Sequence, residues 1–304
     1  MSDTGVSVVI ATRGRPTLLR RAIASILAQT TKVPLEIIVV FDQVEPDPLA
    51  DVDVGDGRFL LGIRNEHSTG LAGGRNSGIG RARFAFVAFC DDDDEWKPGK
   101  IERQLALAAA APDAVVIASG IQIESHGGSH IRLAPETTTL GDLLESRITE
   151  LHPSSFLIRR HDLESRLGTI DEDIPGSYGE DYDLLLRAAK LAPVVAVPEP
   201  LVIVHWDRAS FFSEKWESIV GGLSYLLEKH QEFDRTSRGK ARIQGQVAFA
   251  YAALGQVKDA RHWASATLRN DRRQLRGYAA YAIASRLLPA GLIVSAINSR
   301  GRGL

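Results

Sequence analysis

Residues 84–96 read Phe-Ala-Phe-Val-Ala-Phe-Cys-Asp-Asp-Asp-Asp-Glu-Trp, an apolar run that passes directly into five consecutive acids. The apolar half has the length and content of a buried strand. Adjacent carboxylates cannot be buried as charges unless something compensates them. One interpretation is therefore a solvated acidic loop, the usual state of a charge run. The other is a binding loop at the end of a core strand, fixed by Trp96 and Pro98.

A cluster of carboxylates at the end of a core strand suits a hard divalent cation, Mg²⁺ or Mn²⁺. Such an ion would bridge the oxygens of a diphosphate and stabilise a departing nucleotide diphosphate. We therefore predict a metal-dependent site at the acidic run.

Strand-like and helix-like segments alternate on both sides of this run. The alternation predicts an α/β fold with a mostly parallel sheet. In such sheets ligands bind beyond the carboxyl ends of the strands, so polar residues that follow strands are the candidate site. The predicted strands are residues 6–10, 35–40, 59–61, 84–89, 115–118 and 202–204, and helices are predicted after Pro16 and at 76–83, 101–111 and 180–187.

Near Lys215 the character changes to helix-forming sequence, with predicted helices at 216–230, 242–254 and 257–268. We expect an α/β domain over residues 1–212 and a helical extension over 213–304.

The composition limits the possible partners and compartments: the formal net charge is −2, so nothing global points to nucleic acid. A single cysteine excludes an internal disulfide and fits a reducing cytoplasm.

No signal peptide is visible at the N-terminus, and the apolar stretch 287–297 is shorter than the ~20 residues of a membrane span. We expect a cytoplasmic protein. The C-terminal helices, with Arg286, Arg300 and Arg302 around that stretch, can pack on the body, form a homodimer or touch the inner face of a membrane.

Residues 70–78 read Gly-Leu-Ala-Gly-Gly-Arg-Asn-Ser-Gly. Glycines allow close approach of backbone to a ligand, and a helix beginning near Asn76 would offer free amides to an anion. Arg75 adds a fixed positive charge suited to phosphate. The plainer alternative is a glycine-rich connector. The segment lacks the GxGxxG fingerprint, which counts against an oxidoreductase.

Taken together, these segments resemble the family 2 glycosyltransferases of the GT-A fold over roughly residues 5–210. Their acidic motif is an Asp-x-Asp followed by an aromatic residue and proline, matched here by residues 91–93. The resemblance implies Mn²⁺ or Mg²⁺ as cofactor, with Asp93 the direct ligand, Asp91 beside it, and His205 after the last strand as a further ligand. A lone histidine is otherwise more often structural.

The resemblance also implies a nucleotide-sugar site, built from the opening strand and its loop, an acid after the second strand, the glycine-rich segment and the acidic run. Each segment has a plainer interpretation as a turn or helix start. The residues implied are Ala11, Thr12, Arg13, Arg15, Asp42, Gly70, Arg75, Asn76, Asp91 and Asp92.

Gly179-Glu180-Asp181 opens a leucine-rich helix. Acids there can simply complement the helix dipole. In the resembled family the aspartate is the general base that deprotonates the acceptor hydroxyl, which assigns Asp181 to that role with Glu180 supporting it. One base without a second catalytic carboxylate implies inversion at the anomeric carbon. Acceptor contacts are expected from Ser154, Ser155 and Tyr178.

The expected activity is sugar transfer from a nucleotide diphosphate-sugar, UDP-linked first, to a hydroxyl of a glycan, a lipid-linked glycan or a natural product. Two rivals stay open. A nucleotidyltransferase or phosphate hydrolase would use the same carboxylates, but a nucleotidyltransferase normally has a basic glycine-rich loop after its first strand, and residues 11–15 contain one glycine. A non-catalytic binding protein of the same fold is the second rival.

Overall fold

The computed structural model describes residues 5–125, 127–206 and 216–287. The strands are β1 Val6–Thr12, β2 Leu35–Phe41, β3 Arg58–Arg64, β4 Phe86–Phe89, β5 Glu95–Trp96, β6 Val116–Ser125, β7 Gly128–Arg132, β8 Thr137–Thr138, β9 Leu157–Arg159 and β10 Val194–His205. The helices are α1 Pro16–Leu27, α2 Leu71–Arg81, α3 Lys100–Ala110, α4 Leu140–Glu145, α5 Arg160–Glu164, α6 Glu180–Leu191, α7 Trp216–Lys229, α8 Ser237–Ala253, α9 Val257–Asn270 and α10 Leu275–Ala284.

The strands form one mixed sheet in the order β3-β2-β1-β4-β9-β6-β10-β5, with β7 and β8 pairing beside β6 and β10. The longest pairings, β1 with β2, β2 with β3 and β6 with β10, are parallel, as is β1 with β4. The short strands β5, β7, β8 and β9 pair antiparallel. The α/β prediction is confirmed. Sequence reasoning missed the short antiparallel strands and the short helices α4 and α5, which offer too few residues for a periodic pattern.

The chain divides into two compact units. The α/β unit comprises Met1–Leu140, Ile148–Glu172 and Glu180–Arg208, and the helical unit comprises Gly141–Arg147, Asp173–Gly179 and Ala209–Leu304. Two short inserted segments thus group with the C-terminal helices. The domain boundary that we place at 212/213 stays a prediction, because residues 207–215 lie outside the described part of the chain.

The core of the α/β unit lies around β1 and β2. Every residue of β2 is buried, which is typical of a strand covered on both faces. α1 buries Leu19, Ala22, Ile23 and Ile26, one face of a helix at 3.6-residue spacing. Because β2, β1 and β4 run parallel, their carboxyl ends and the polar residues that follow them meet at one edge of the sheet.

The glycine-rich segment differs from its predicted form. We predicted a loop followed by a helix near Asn76, whereas α2 begins at Leu71 and includes the glycines. A Cβ atom on Gly74 would lie 2.9 Å from the Ala11 Cβ, and one on Gly78 would lie 2.2 Å from the Val9 Cγ1. The glycines therefore serve close packing of α2 on β1, with the positive φ of 115° confined to Gly70 before the helix.

The helical unit contains α7, α8, α9 and α10. The first three match the predicted helices, and α10 was not predicted because its alanine- and tyrosine-rich sequence lacks a clear apolar stripe. Small side chains line the contacts among α8, α9 and α10: Ala248, Ala252, Ala260, Ala264, Ala280 and Ala284.

None of the described helices has both the length and the apolar content to cross a membrane. Apart from Leu287, the C-terminal stretch 287–297 predicted as a contact surface lies outside the described residues, as do Arg300 and Arg302.

Replacing Gly78 with alanine is expected to destabilise the protein by about 1–3 kcal/mol, because the new methyl group overlaps the stiff, buried Val9 side chain. The matched control is Gly80→Ala in the same helix, where a Cβ would meet nothing within 4 Å. That change should be neutral or stabilise by about 0.5–1 kcal/mol. Urea denaturation of both variants measures the difference, and equal effects would contradict the close α2–β1 packing.

Candidate active site

The acidic run lies beside the end of β1, and residues of β1 and of the loop after it compensate its negative charge. Thr12 Oγ1 donates a hydrogen bond of 2.6 Å to Asp92 Oδ2. The Arg15 guanidinium forms ion pairs with Asp92 at 2.5 Å and with Asp93 at 2.9 Å. Burial raises the pKa of Asp92 to about 6, and repulsion from Asp93 and Asp91 adds to this, while the Thr12 hydrogen bond and the Arg15 charge oppose it. The run is thus a fixed, partly buried loop and not a solvated one.

The far end of the run is held by the 3₁₀ turn at Pro153–Ser155. Ser154 Oγ donates to Asp94 Oδ2 at 2.5 Å and accepts from the Asp91 backbone N–H at 3.0 Å. Trp96 Nε1 donates to the Ser154 carbonyl at 2.9 Å, which fixes the loop as predicted. Ser154, predicted as an acceptor contact, is therefore fully buried and bonded to the acidic loop.

Three ligand-bearing side chains converge next to that turn. One carboxylate oxygen each from Asp91 and Asp94 and one ring nitrogen of His152 lie within 4.8 Å of one another. Burial raises the pKa of Asp94 well above its usual range, with Asp91 adding repulsion, so this carboxyl would lose its proton on binding a cation. Burial lowers the pKa of His152, which favours the neutral imidazole that a metal requires. Two carboxylates and an imidazole form a donor set that fits Mn²⁺ or Mg²⁺.

The two other predicted metal ligands are not members of this group. Asp93 accepts from Arg15, and His205 Nε2 lies 2.8 Å from Glu95 Oε1. Arg21 contacts the same Glu95 carboxylate at 3.0 Å. The sequence therefore missed Asp94 and His152 as candidate ligands. The fourth acid of the run was available as a signal, but nothing local distinguishes His152, which reaches the loop only through the fold.

Arg75 connects the acidic run to α6. Its guanidinium is 3% exposed and forms ion pairs with Asp91 at 2.8 Å and with Glu180. It also lies 5.4 Å from the centroid of the Phe89 ring. Asp181, the next residue in α6, is buried, and its negative charge opposes the burial that lowers the pKa of His152. The two predicted catalytic acids are thus brought to the edge of the sheet that carries the acidic run.

Other predicted nucleotide-site residues support the site through the protein's own contacts. Asn76 Nδ2 donates to the Ile170 carbonyl at 2.8 Å and to Glu172 at 2.6 Å, so its amide is engaged inside the unit. Asp42 accepts from Asn65 at 2.8 Å and from the Gly70 backbone N–H at 3.2 Å. Asp42 therefore fixes the turn that leads into α2.

The remaining predicted residues have different surroundings. Ala11 is partly buried in β1, and Arg13 is exposed in the loop that follows it. Ser155 is buried and donates to the His152 carbonyl at 2.7 Å. Tyr178 belongs to the helical unit.

The sequence of this chain is similar to those of known glycosyltransferases. Residues 7–167, more than half of the chain, match the sequence model described as Glycosyl transferase family 2. The succinoglycan biosynthesis protein ExoO of Rhizobium meliloti (strain 1021) is 31% identical over 219 residues, which cover 67% of this chain and 62% of that protein. WfgD of Escherichia coli, a UDP-Glc:alpha-D-GlcNAc-diphosphoundecaprenol beta-1,3-glucosyltransferase, is 32% identical over 108 residues, or 35% of this chain and 42% of WfgD. The chain thus spans less than two thirds of each of these two relatives.

The fold also has a solved counterpart. The crystal structure of S. aureus TarS 1-349 in complex with UDP-GlcNAc superposes with a TM-score of 0.63 at 16% identity, covering 98% of this chain and 93% of that one. At this identity the likeness concerns the fold.

Replacing Arg75 with glutamine is expected to destabilise the protein by about 3–5 kcal/mol, because the buried Glu180 and the partly buried Asp91 lose their common counter-charge. Arg81→Gln is the matched control in α2, since its ion pair with Glu66 has both side chains more than half exposed. The control should cost at most about 1 kcal/mol. Chemical denaturation tests this, and similar losses for both variants would contradict a buried role for Arg75.

Proposed function

Because the chain belongs to glycosyl transferase family 2, and is thus a glycosyltransferase, we propose that it moves a sugar from a UDP-sugar to a hydroxyl of a glycan or lipid-linked glycan, with a divalent metal and with inversion. The observation that carries the proposal is the Arg75 guanidinium, which joins the acidic run to the start of α6. One buried cation thus joins the proposed metal-and-diphosphate loop to the helix turn that carries the candidate base, Asp181.

The donor part of the proposal is supported by the positive charges around the acidic run. Arg13 and Arg15 are exposed on the loop after β1, where diphosphate oxygens would accept their hydrogen bonds. Arg75 lies buried in α2 and would act on the diphosphate through its charge. Arg15 already bonds to two carboxylates and is partly exposed, so an incoming diphosphate can compete for its guanidinium. The UDP-Glc specificity in the name of WfgD favours uracil as the base.

The metal part rests on the donor set of Asp91, Asp94 and His152. A bound Mn²⁺ or Mg²⁺ supplies positive charge that stabilises the departing nucleotide diphosphate. The ligand set implied by resemblance, Asp91 with Asp93 and His205, would require Arg15 to leave Asp93 and Glu95 to leave His205. Asp91 belongs to both sets.

Asp181 is proposed as the general base that removes the proton of the acceptor hydroxyl as its oxygen attacks the anomeric carbon. Glu180, held by Arg75, fixes the first turn of α6 and so orients the neighbouring carboxylate. Attack from the face opposite the diphosphate inverts the anomeric configuration. The names of ExoO, a succinoglycan biosynthesis protein, and of WfgD, which acts on a diphosphoundecaprenol-linked sugar, favour a polysaccharide or a lipid-linked glycan as acceptor.

Thermal unfolding in the presence of UDP, GDP, CDP or dTDP, each with and without Mn²⁺, tests the donor and the metal together. We expect UDP to stabilise the protein only when Mn²⁺ is present, by about 2.7 kcal/mol at a concentration of 100 Kd. Stabilisation by UDP without metal would contradict the metal dependence, and no response to any of the four would contradict the proposed donor site.

The same assay separates the two ligand sets. His152→Gln should abolish the Mn²⁺-dependent shift, whereas His205→Gln should leave it close to the wild-type value. The reverse result would assign the ion to the set with Asp93 and His205.

Asp181→Asn should lower the transfer rate by about 10²–10⁴-fold, because the amide cannot accept the hydroxyl proton. The UDP-dependent thermal shift should remain, since the substitution preserves shape. Asp113→Asn, an exposed position before β6, is the control and should change neither. Turnover near the wild-type rate in Asp181→Asn would refute the base assignment.

A further inference from the structure

Positive charge is concentrated in two segments of the helical unit. Residues 235–242 contain four basic residues and no acid, and residues 269–276 contain four arginines and one aspartate, although the whole chain has a net charge of −2. The first segment enters α8, and the second joins α9 to α10. Such separation of charge within one small unit is typical of a surface that meets an anionic partner.

The fold brings the two segments together. They line one cavity of about 460 Å³, with Ser237 and Arg238 on one side and Asn270, Asp271, Arg273 and Gln274 on the other. Asn270 Nδ2 donates to Gln244 Oε1 at 2.8 Å, which ties the end of α9 to α8. Arg238 of the first segment and Arg273 of the second therefore belong to one basic surface.

Few carboxylates compensate this surface. Lys240 pairs with Asp234 at 2.5 Å, and Arg238 lies 4.0 Å from Glu145. The other exposed arginines have no ion pair with any residue in the described ranges: Arg235, Arg269, Arg272 and Arg273. Their charge is available to a partner.

Apolar side chains stand directly beside these arginines. Leu275 is 76% exposed and Tyr278 is 50% exposed, one helical turn apart on α10. The Tyr278 hydroxyl donates to the Arg272 carbonyl at 3.0 Å, so the ring lies against the basic turn. Purely ionic contact with phosphate groups would make no use of the exposed Leu275 side chain.

We propose that this surface, formed by residues 235–242 and 269–278, docks the helical unit on an anionic phospholipid bilayer. Arginines reach the lipid phosphates while Leu275 enters the acyl boundary and Tyr278 lies at the headgroup level. Each basic residue near an anionic bilayer strengthens binding about fivefold, and the attraction fades within a Debye length as salt rises. This inference goes beyond the proposed function and requires no part of the donor chemistry.

Co-sedimentation of the full chain with phosphatidylcholine vesicles, with and without one quarter phosphatidylglycerol, tests the proposal. The wild-type chain should bind only the anionic vesicles, and less at high salt. Arg272→Gln with Arg273→Gln should lower the partition coefficient about 25-fold. Leu275→Ser should lower it about tenfold, because a buried leucine side chain is lost from the bilayer.

The matched control is Lys258→Gln with Arg261→Gln, two exposed basic residues near the start of α9 outside this surface. It should bind vesicles like the wild type, and the UDP-dependent thermal shift should be equal in all variants. Equal vesicle binding by the control and the Arg272/Arg273 pair would overturn the proposal. So would vesicle binding that needs no anionic lipid, or loss of the arginine effect combined with tight binding to duplex DNA.

Discussion

The site depends on the compensation of buried negative charge by the Arg75 guanidinium. A carboxylate at the end of β4 and another at the start of α6 would repel each other at this burial, and each alone would be costly to desolvate. The arginine satisfies both and is covered by the Phe89 ring. Since its own position is fixed by α2, three separate elements of the α/β unit are tied to one cation.

The acidic run shows how a protein keeps several carboxylates in one place. Every acid of the run has a partner: Arg75 for Asp91, Thr12 and Arg15 for Asp92, Arg15 for Asp93, the Ser154 hydroxyl for Asp94, and Arg21 with His205 for Glu95. The compensation is incomplete, because the pKa values of Asp92 and Asp94 are still raised by burial. The proposed Mn²⁺ or Mg²⁺ would add positive charge beside these carboxyls and has the hardness that oxygen ligands favour.

Much of this arrangement could be predicted from the sequence because the site residues come directly after strands that are recognisable in the sequence. Strands β1, β2 and β4 were recognisable as apolar runs, and a parallel sheet necessarily brings the residues after them to one edge. Contacts that join distant segments could not be predicted in the same way. His152 and Ser154 reach the acidic run across some sixty residues through β9, a three-residue strand with no pattern of its own. The helical start of α2 was missed because glycine disfavours helices locally, and here tertiary packing overrides that preference.

The close packing of α2 on β1 also limits how far Arg75 can move relative to the sheet. A helix is normally separated from a sheet by a layer of packed side chains, which can change rotamer. Between Gly74 and Ala11, and between Gly78 and Val9, that layer is absent, so backbone rests almost on side-chain methyl groups. We therefore expect the Cα atom of Arg75 to move together with β1. A charged group mounted on so stiff a support needs little rearrangement when a ligand arrives, and the mobility needed for substrate entry and product release must come from elsewhere in the chain.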